Sequence, residues 1–153
     1  RAQEQSYRLV IDELPDATSR AANPNAVHFL LRYSIPVFIA GNQDAPASHD
    51  ALSCEQAEMP ATLRCFNAGN RHIRLSHLEA LTADGQVVGS IKGMAGYVLP
   101  GQTTLLPLKQ ASRHALSTLR VYLNDDHHAS QIPLRPLASR APVLGTAHAV
   151  SPD

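Results

Sequence analysis

The sequence predicts an all-β protein with antiparallel strands. From residue 51 onward, short apolar runs recur about every ten residues, separated by residues that are typical of turns. Helix signals are few, and the one rival is 105–116, which could hold a helical turn. The predicted strands are 51–56, 61–66, 72–81, 86–91, 97–99, 103–108, 119–123 and 131–134. This number and spacing of strands is typical of an immunoglobulin-like β-sandwich.

Two further strands are predicted to form a hairpin before the sandwich. They cover residues 7–14 and the unusually long stretch 26–40. In 26–40, every odd position from Val27 to Val37 is apolar or aromatic, the period-2 pattern of a strand with one apolar face. Because Pro36 cannot donate to a ladder, an edge position is favoured. An open apolar edge favours pairing with a strand of another chain, and an ordinary core strand is the alternative.

Polar segments rich in proline and glycine divide the chain. The hairpin region is 1–40, and 41–48 has the composition of a linker. The sandwich then occupies 49–136. The tail, 137–153, has no periodicity and is predicted to be flexible.

Composition and charge exclude several function classes. The 153 residues include 13 Lys and Arg against 13 Asp and Glu, so the formal net charge is zero. No basic stripe interleaved with aromatic residues is present, so nucleic acid is not a predicted partner. No apolar run approaches 18 residues, and the first residues are polar, so neither a membrane span nor a signal peptide is predicted.

The sequence also lacks motifs for catalysis, metals and cofactors. The densest histidine cluster is Asp125-Asp126-His127-His128, but neighbouring strand residues point to opposite faces, and a polar hairpin tip explains the cluster more simply. There is no Gly-x-Ser-x-Gly motif, and the glycines of 93–96 and 98–101 fit turns rather than a phosphate loop. We therefore expect no catalytic residues, no metal site and no cofactor, and a protein that is not an enzyme.

Two cysteines, Cys54 and Cys65, lie in one predicted hairpin whose turn is near residues 59 and 60. Their separation allows them to face each other across the two strands. A disulfide there would stabilise the fold by about 3 kcal/mol in the chain-entropy model, and it would indicate an oxidising compartment. Two buried free thiols are the alternative.

Several motifs, taken in order, resemble those of the periplasmic fimbrial chaperones of the chaperone-usher pathway, nearest the archaic type. The motifs lie at 7–15, 30–38, 67–72, 96–101 and 121–125, and the resemblance extends from about residue 5 to 134. It implies two immunoglobulin-like domains, the first of which uses its last strand to complete the unfinished sandwich of a pilin subunit. It also implies a periplasmic location and an outer-membrane usher as a second partner.

The resemblance assigns roles to particular residues. It implies that the donor side chains are those of Val27, Phe29, Leu31 and Tyr33. Pro36 stands about where many members have a lysine that grips the terminal carboxylate of the subunit. Arg8 is the candidate replacement because it lies on the adjacent strand, with Lys92 or Lys109 as a second group. Glu13 and Asp125 match acidic residues that bridge the two domains, although Ala40 stands where the basic partner would be.

Family members carry further strands and a signal peptide before the hairpin. The chain is therefore expected to lack the first part of the N-terminal domain, so that its sandwich is preceded by the donor-strand hairpin of an incomplete domain. Such a hairpin, with no subunit to cover it, is expected to promote self-association. The alternative function is an immunoglobulin-like adhesion or binding module that uses the exposed strand.

Overall fold

The computed structural model describes residues 3–14, 29–41, 49–59, 61–109 and 115–135. Apart from one 3₁₀ turn, His49–Ala51, all the elements there are β-strands, and every sheet is antiparallel, which confirms the all-β prediction. The strands are β1 Gln5–Asp12, β2 Arg32–Ile39, β3 Leu52–Gln56, β4 Thr62–Asn67, β5 Ile73–Leu81, β6 Val87–Val98, β7 Thr103–Pro107, β8 Thr118–Leu123 and β9 Ser130–Pro133. Val27, most of the predicted linker, the predicted tail and residues 110–114 of the helical-turn alternative lie outside the described residues.

Strands β3 to β9 form a two-sheet sandwich. One sheet has the order β3-β4-β7 and the other β6-β5-β8-β9. Burial alternates along β4 and β8, as expected for strands with one face against a core. A single apolar cluster takes side chains from both sheets, including Leu63, Leu75, Leu119 and Val121. Each such side chain stabilises the fold by about 1.5 to 3 kcal/mol when it is buried.

The predicted turn at 93–96 is wrong, because β6 is one continuous strand of 12 residues. Its pairing with β5 is interrupted by register shifts on either side of Ser76. Gly93 and Gly96 have φ angles of 70° and 148°. A residue with positive φ suits a β-bulge as well as a turn, and glycine adopts it without strain. The glycines therefore bend a strand that continues.

The predicted disulfide between Cys54 and Cys65 is confirmed. The two residues are directly opposite each other in the β3–β4 register, and their sulfur atoms are 2.04 Å apart. Both side chains are buried in the core between the sheets. The bond therefore ties together two strands of the smaller sheet.

Strands β1 and β2 pair only with each other in the described part of the chain, as a separate two-stranded sheet. Their register places most of the apolar side chains on one face, whereas the other face carries most of the polar ones together with Val10, Pro36 and Phe38. The apolar face carries Tyr7, Leu9, Ile11, Tyr33, Ile35, Val37 and Ile39, all of which are exposed. The outer edge of β2 is unpaired within the described ranges, as the sequence predicts for an edge strand.

Candidate functional site

A fully buried asparagine holds the loop between β4 and β5, which the hairpin contacts. Asn67, the last residue of β4, donates from Nδ2 to the carbonyl oxygens of Arg71 at 2.7 Å and Val98 at 2.9 Å. Its Oδ1 accepts from the backbone N–H of Gly69 at 2.8 Å. All its hydrogen-bonding groups are directed at the backbone of this region, so the loop between β4 and β5 is held in one conformation.

Glu4 joins the hairpin to this turn. Its backbone N–H donates to the carbonyl of Asn70 at 2.9 Å, and its Oε1 accepts from the backbone N–H of His72 at 2.9 Å. The same oxygen lies 2.7 Å from Nδ1 of His72, and the Glu4 side chain is only 2% exposed. Sequence reasoning missed Glu4, because a glutamate in a polar N-terminal segment carries no local signal that its partner is 68 residues away.

An aromatic cluster makes the second contact between hairpin and sandwich. The ring of Phe38, near the end of β2, stacks on the imidazole of His72 with centroids 3.7 Å apart. Tyr97 lies against both rings, with centroid distances of 5.1 Å to Phe38 and 5.5 Å to His72. The polar face of the hairpin therefore meets the sandwich through Phe38, whereas the side chains of the apolar face are exposed.

A groove of about 660 Å³ lies between hairpin and sandwich, and we call it the Arg8 groove. Arg8 is the one charged residue among the described residues that line it, and Phe38, Met94 and Tyr97 form apolar parts of its wall. Nη1 of Arg8 donates to Oγ of Ser34 at 2.9 Å. A guanidinium has five N–H donors, so Arg8 keeps donors for a ligand, and a carboxylate matches its geometry best.

The other two basic residues implied by the resemblance do not line this groove. Lys92 is exposed on β6, and Lys109 follows β7, where its backbone pairs with Ser90. Of the three candidate anchors, the structure therefore brings Arg8 to the groove and leaves the two lysines outside it.

Three of the four predicted donor residues are described, and all three are exposed. Tyr33 lies in β2 opposite Ile11, whereas Phe29 and Leu31 come just before the strand. Phe29 is 81% exposed. The carbonyl of Leu31 accepts from the backbone N–H of Glu13, and the N–H of Leu31 donates to the Glu13 side chain. These two bonds hold Leu31 beside the end of β1.

The two acidic residues matched to interdomain positions make other contacts. Glu13 accepts from the backbone N–H of Leu31 through Oε2 at 3.1 Å, at the end of the hairpin remote from Glu4. Asp125 accepts from Nη2 of Arg74 at 2.8 Å within the sandwich. Neither of these contacts bridges the hairpin and the sandwich, a role that Glu4 and Phe38 fill instead.

The histidine cluster near residue 127 is a polar turn between β8 and β9. Asp126 pairs with Nε2 of His49 at 3.0 Å, and Asp125 pairs with Arg74. Across the described ranges, no three His, Cys, Asp or Glu side chains are grouped so that they could hold a metal ion. The same ranges contain no helix long and apolar enough to cross a membrane.

No family model matches the chain, and no curated protein is significantly similar to it. The function proposed below therefore depends on the geometry of the hairpin and on the sequence motifs.

Proposed function

We propose that this chain acts as a periplasmic chaperone that binds pilus or fimbrial subunits by donor-strand complementation and delivers them to an outer-membrane usher. The observation that carries the proposal is the exposed edge of β2 together with the apolar face of its hairpin. Strand β2 and the residues before it would pair with the open edge of a subunit and fill its apolar groove. The three- and four-stranded sheets of the sandwich support an immunoglobulin-like assignment for the second domain.

The energetics of such a complex follow from the exposed side chains. An incomplete pilin has an apolar groove that it cannot cover, and each donated large side chain would contribute about 1.5 to 3 kcal/mol on burial. Phe29, Leu31 and Tyr33 are exposed and available for this role. Backbone pairing along β2 would also satisfy N–H and C=O groups that are otherwise unpaired on both proteins.

Arg8 supports the proposal because it provides a fixed end point for the bound subunit. A terminal carboxylate in the Arg8 groove would accept charge-assisted hydrogen bonds from the guanidinium, next to the apolar wall of Phe38 and Met94. One such anchor would set the register of the subunit along β2. The disulfide is compatible with a periplasmic location, since disulfides persist in oxidising compartments.

Co-expression tests the proposal directly. The complete gene product is made in a bacterial periplasm together with a candidate pilin, and the two are purified through a tag on the pilin. A chaperone should protect the pilin from proteolysis and co-purify with it as a one-to-one complex. Rapid degradation of the pilin, whether or not the chain is present, would contradict the proposal.

The exposed edge of β2 also fits a second function, an adhesion or binding module with a sandwich of the same kind. Such a module binds partners that are already folded. In the same experiment it should leave the unassembled pilin unprotected, and it should instead bind assembled fibres or other copies of itself.

A further inference from the structure

A second cavity, distinct from the Arg8 groove, opens beside the aromatic cluster, and we call it the Arg71 cavity. It measures about 450 Å³ and shares Pro36, Phe38 and Tyr97 with the wall of the Arg8 groove. Its charged lining consists of two arginines, Arg71 and Arg74, and one carboxylate, Asp125. The formal charge of these three groups is positive, so the cavity attracts anions.

Arg71 is the free cation of this cavity. Its side chain is exposed and makes no hydrogen bond or ion pair within the part of the chain that the structure describes. Its backbone carbonyl accepts from Asn67, so the residue is fixed at its backbone while the guanidinium remains available. All five N–H donors of that guanidinium can therefore be offered to a ligand.

Arg74 is the second cation of the cavity, and its existing ion pair with Asp125 is weak. Nη2 of Arg74 donates to Oδ1 of Asp125 at 2.8 Å and also to the backbone carbonyl of Asn124. The Asp125 side chain is 97% exposed, so water screens this ion pair and it contributes little. A ligand carboxylate could compete with Asp125 for Arg74, while the carbonyl of Asn124 continues to hold the arginine in place.

The aromatic part of the cavity wall favours anions that also have an apolar part. Phe38 and Tyr97 line the same cavity as the two arginines and contribute aromatic surface to its wall. A glutamate side chain has an aliphatic stem as well as a carboxylate, so it can pack on the rings while its oxygens meet Arg71. Inorganic anions have no apolar part to use this surface.

We propose that the Arg71 cavity binds an acidic peptide segment, with one carboxylate on Arg71 and Arg74 and the stem of that side chain on Phe38 and Tyr97. The site goes beyond the proposed function, because it does not require that the segment belong to a pilin or that it end in a free carboxylate.

The test uses two peptides with blocked ends, N-acetylated and C-amidated, so that only side chains carry charge. Fluorescently labelled tetraglutamate and tetraglutamine are titrated with the full chain at low salt, and anisotropy reports binding. Tetraglutamate should bind, and its affinity should fall as salt is added, because salt screens exposed ionic contacts. Equal binding of the two peptides would overturn the proposal.

Four variants locate the site. Arg71→Gln should weaken tetraglutamate binding by about two- to fivefold, the range expected for losing one exposed charged contact. Asp125→Asn should strengthen binding, since it removes the competing carboxylate. Arg64→Gln is the matched control, because Arg64 is an exposed arginine of the three-stranded sheet, where it pairs with Glu55 on the neighbouring strand. Arg8→Gln is the fourth variant, and it reports whether the peptide occupies the Arg8 groove instead.

The variants also give outcomes that contradict the proposal. If Arg71→Gln binds as well as Arg64→Gln does, the cavity is not the site. If Arg8→Gln alone weakens binding, the peptide occupies the Arg8 groove instead. A thermal melt of each variant checks that the fold is retained, and since all four side chains are at least partly exposed we expect melting temperatures close to that of the parent chain.

Discussion

The phenyl ring of Phe38 lies parallel to the imidazole of His72, with centroids 3.7 Å apart and planes 15° from each other. Phe38 belongs to the hairpin, and His72 belongs to the loop that leads into β5 of the sandwich. Glu4, just before β1, also bonds to His72. The start of β1 and the end of β2 are therefore both held by the same histidine. The orientation of the exposed strand therefore depends on this contact.

Replacing Phe38 by alanine should loosen the hairpin without unfolding the sandwich. A stacked aromatic pair contributes about 1 kcal/mol beyond its buried area, so local opening should become at least about fivefold more frequent. Hydrogen exchange of the Glu4 amide, which is bonded to Asn70, reports this opening. The matched control is Phe66→Ala, a phenylalanine exposed on β4. Unchanged protection of the Glu4 amide in Phe38→Ala would contradict the account.

Replacing Asn67 by alanine should destabilise the sandwich itself. The change leaves the buried carbonyl of Val98, and the partly buried carbonyl of Arg71 and N–H of Gly69, without the partner that Asn67 provides, at a cost of about 2 to 4 kcal/mol. Denaturant unfolding measures the loss. Asn70→Ala is the matched control, since Asn70 contacts Glu4 through its backbone carbonyl, which alanine retains. Equal stability of the two variants would show that Asn67 does not have the structural role assigned here.

The disulfide should contribute about 3 kcal/mol to the free energy of unfolding, because it closes a short loop in the unfolded chain. Denaturant unfolding of the oxidised protein and of protein kept in reductant gives the difference. Thiol titration of denatured, non-reduced protein that has been exported to an oxidising compartment provides the control, and it should find no free thiol. Two titrating thiols, or identical unfolding midpoints, would contradict this prediction.

Strand positions and the disulfide could be predicted from the sequence because they depend on local patterns. The period-2 alternation around Tyr33, and the separation of Cys54 from Cys65, are visible within one hairpin each. The error in β6 has a local cause as well. Gly93 and Gly96 are equally suited to turns and to bulges, and only the pairing with β5 decides between them.

The contacts that set the position of the hairpin could not be predicted in this way. Glu4 is polar and near the N-terminus, so its sequence context favours solvent, yet its side chain is almost fully buried against His72. Arg71 likewise has no pattern around it that indicates a cavity. Both depend on residues that are distant in sequence, and no periodicity records such pairs.

Under the proposed chaperone function, Arg8→Ala should reduce the amount of pilin that co-purifies, because it would remove a charge-assisted contact to the terminal carboxylate. Arg8→Lys should restore capture only in part, since an ammonium cannot form the bidentate pair. Lys92→Ala is the control, because Lys92 is exposed outside the groove. If Lys92→Ala loses as much co-purified pilin as Arg8→Ala does, Arg8 is not the carboxylate anchor.

The choice of control for the donor strand follows from the structure. Ser34 is on the polar face, but it accepts a hydrogen bond from Arg8, so an aspartate there would also disturb the Arg8 groove. Leu30 avoids this problem. It is 52% exposed against 53% for Leu31, and the period-2 pattern assigns the two leucines to opposite faces.

The most direct test of donor-strand complementation compares Leu31→Asp with Leu30→Asp in the complete gene product co-expressed with a pilin. A charge placed in the apolar groove of the subunit costs several kcal/mol, so Leu31→Asp should lose most of the co-purified pilin, whereas Leu30→Asp should retain it. Circular dichroism of both variants checks that they are folded. If Leu31→Asp retains as much pilin as Leu30→Asp does, the strand does not enter the subunit, and the adhesion-module function replaces the chaperone function.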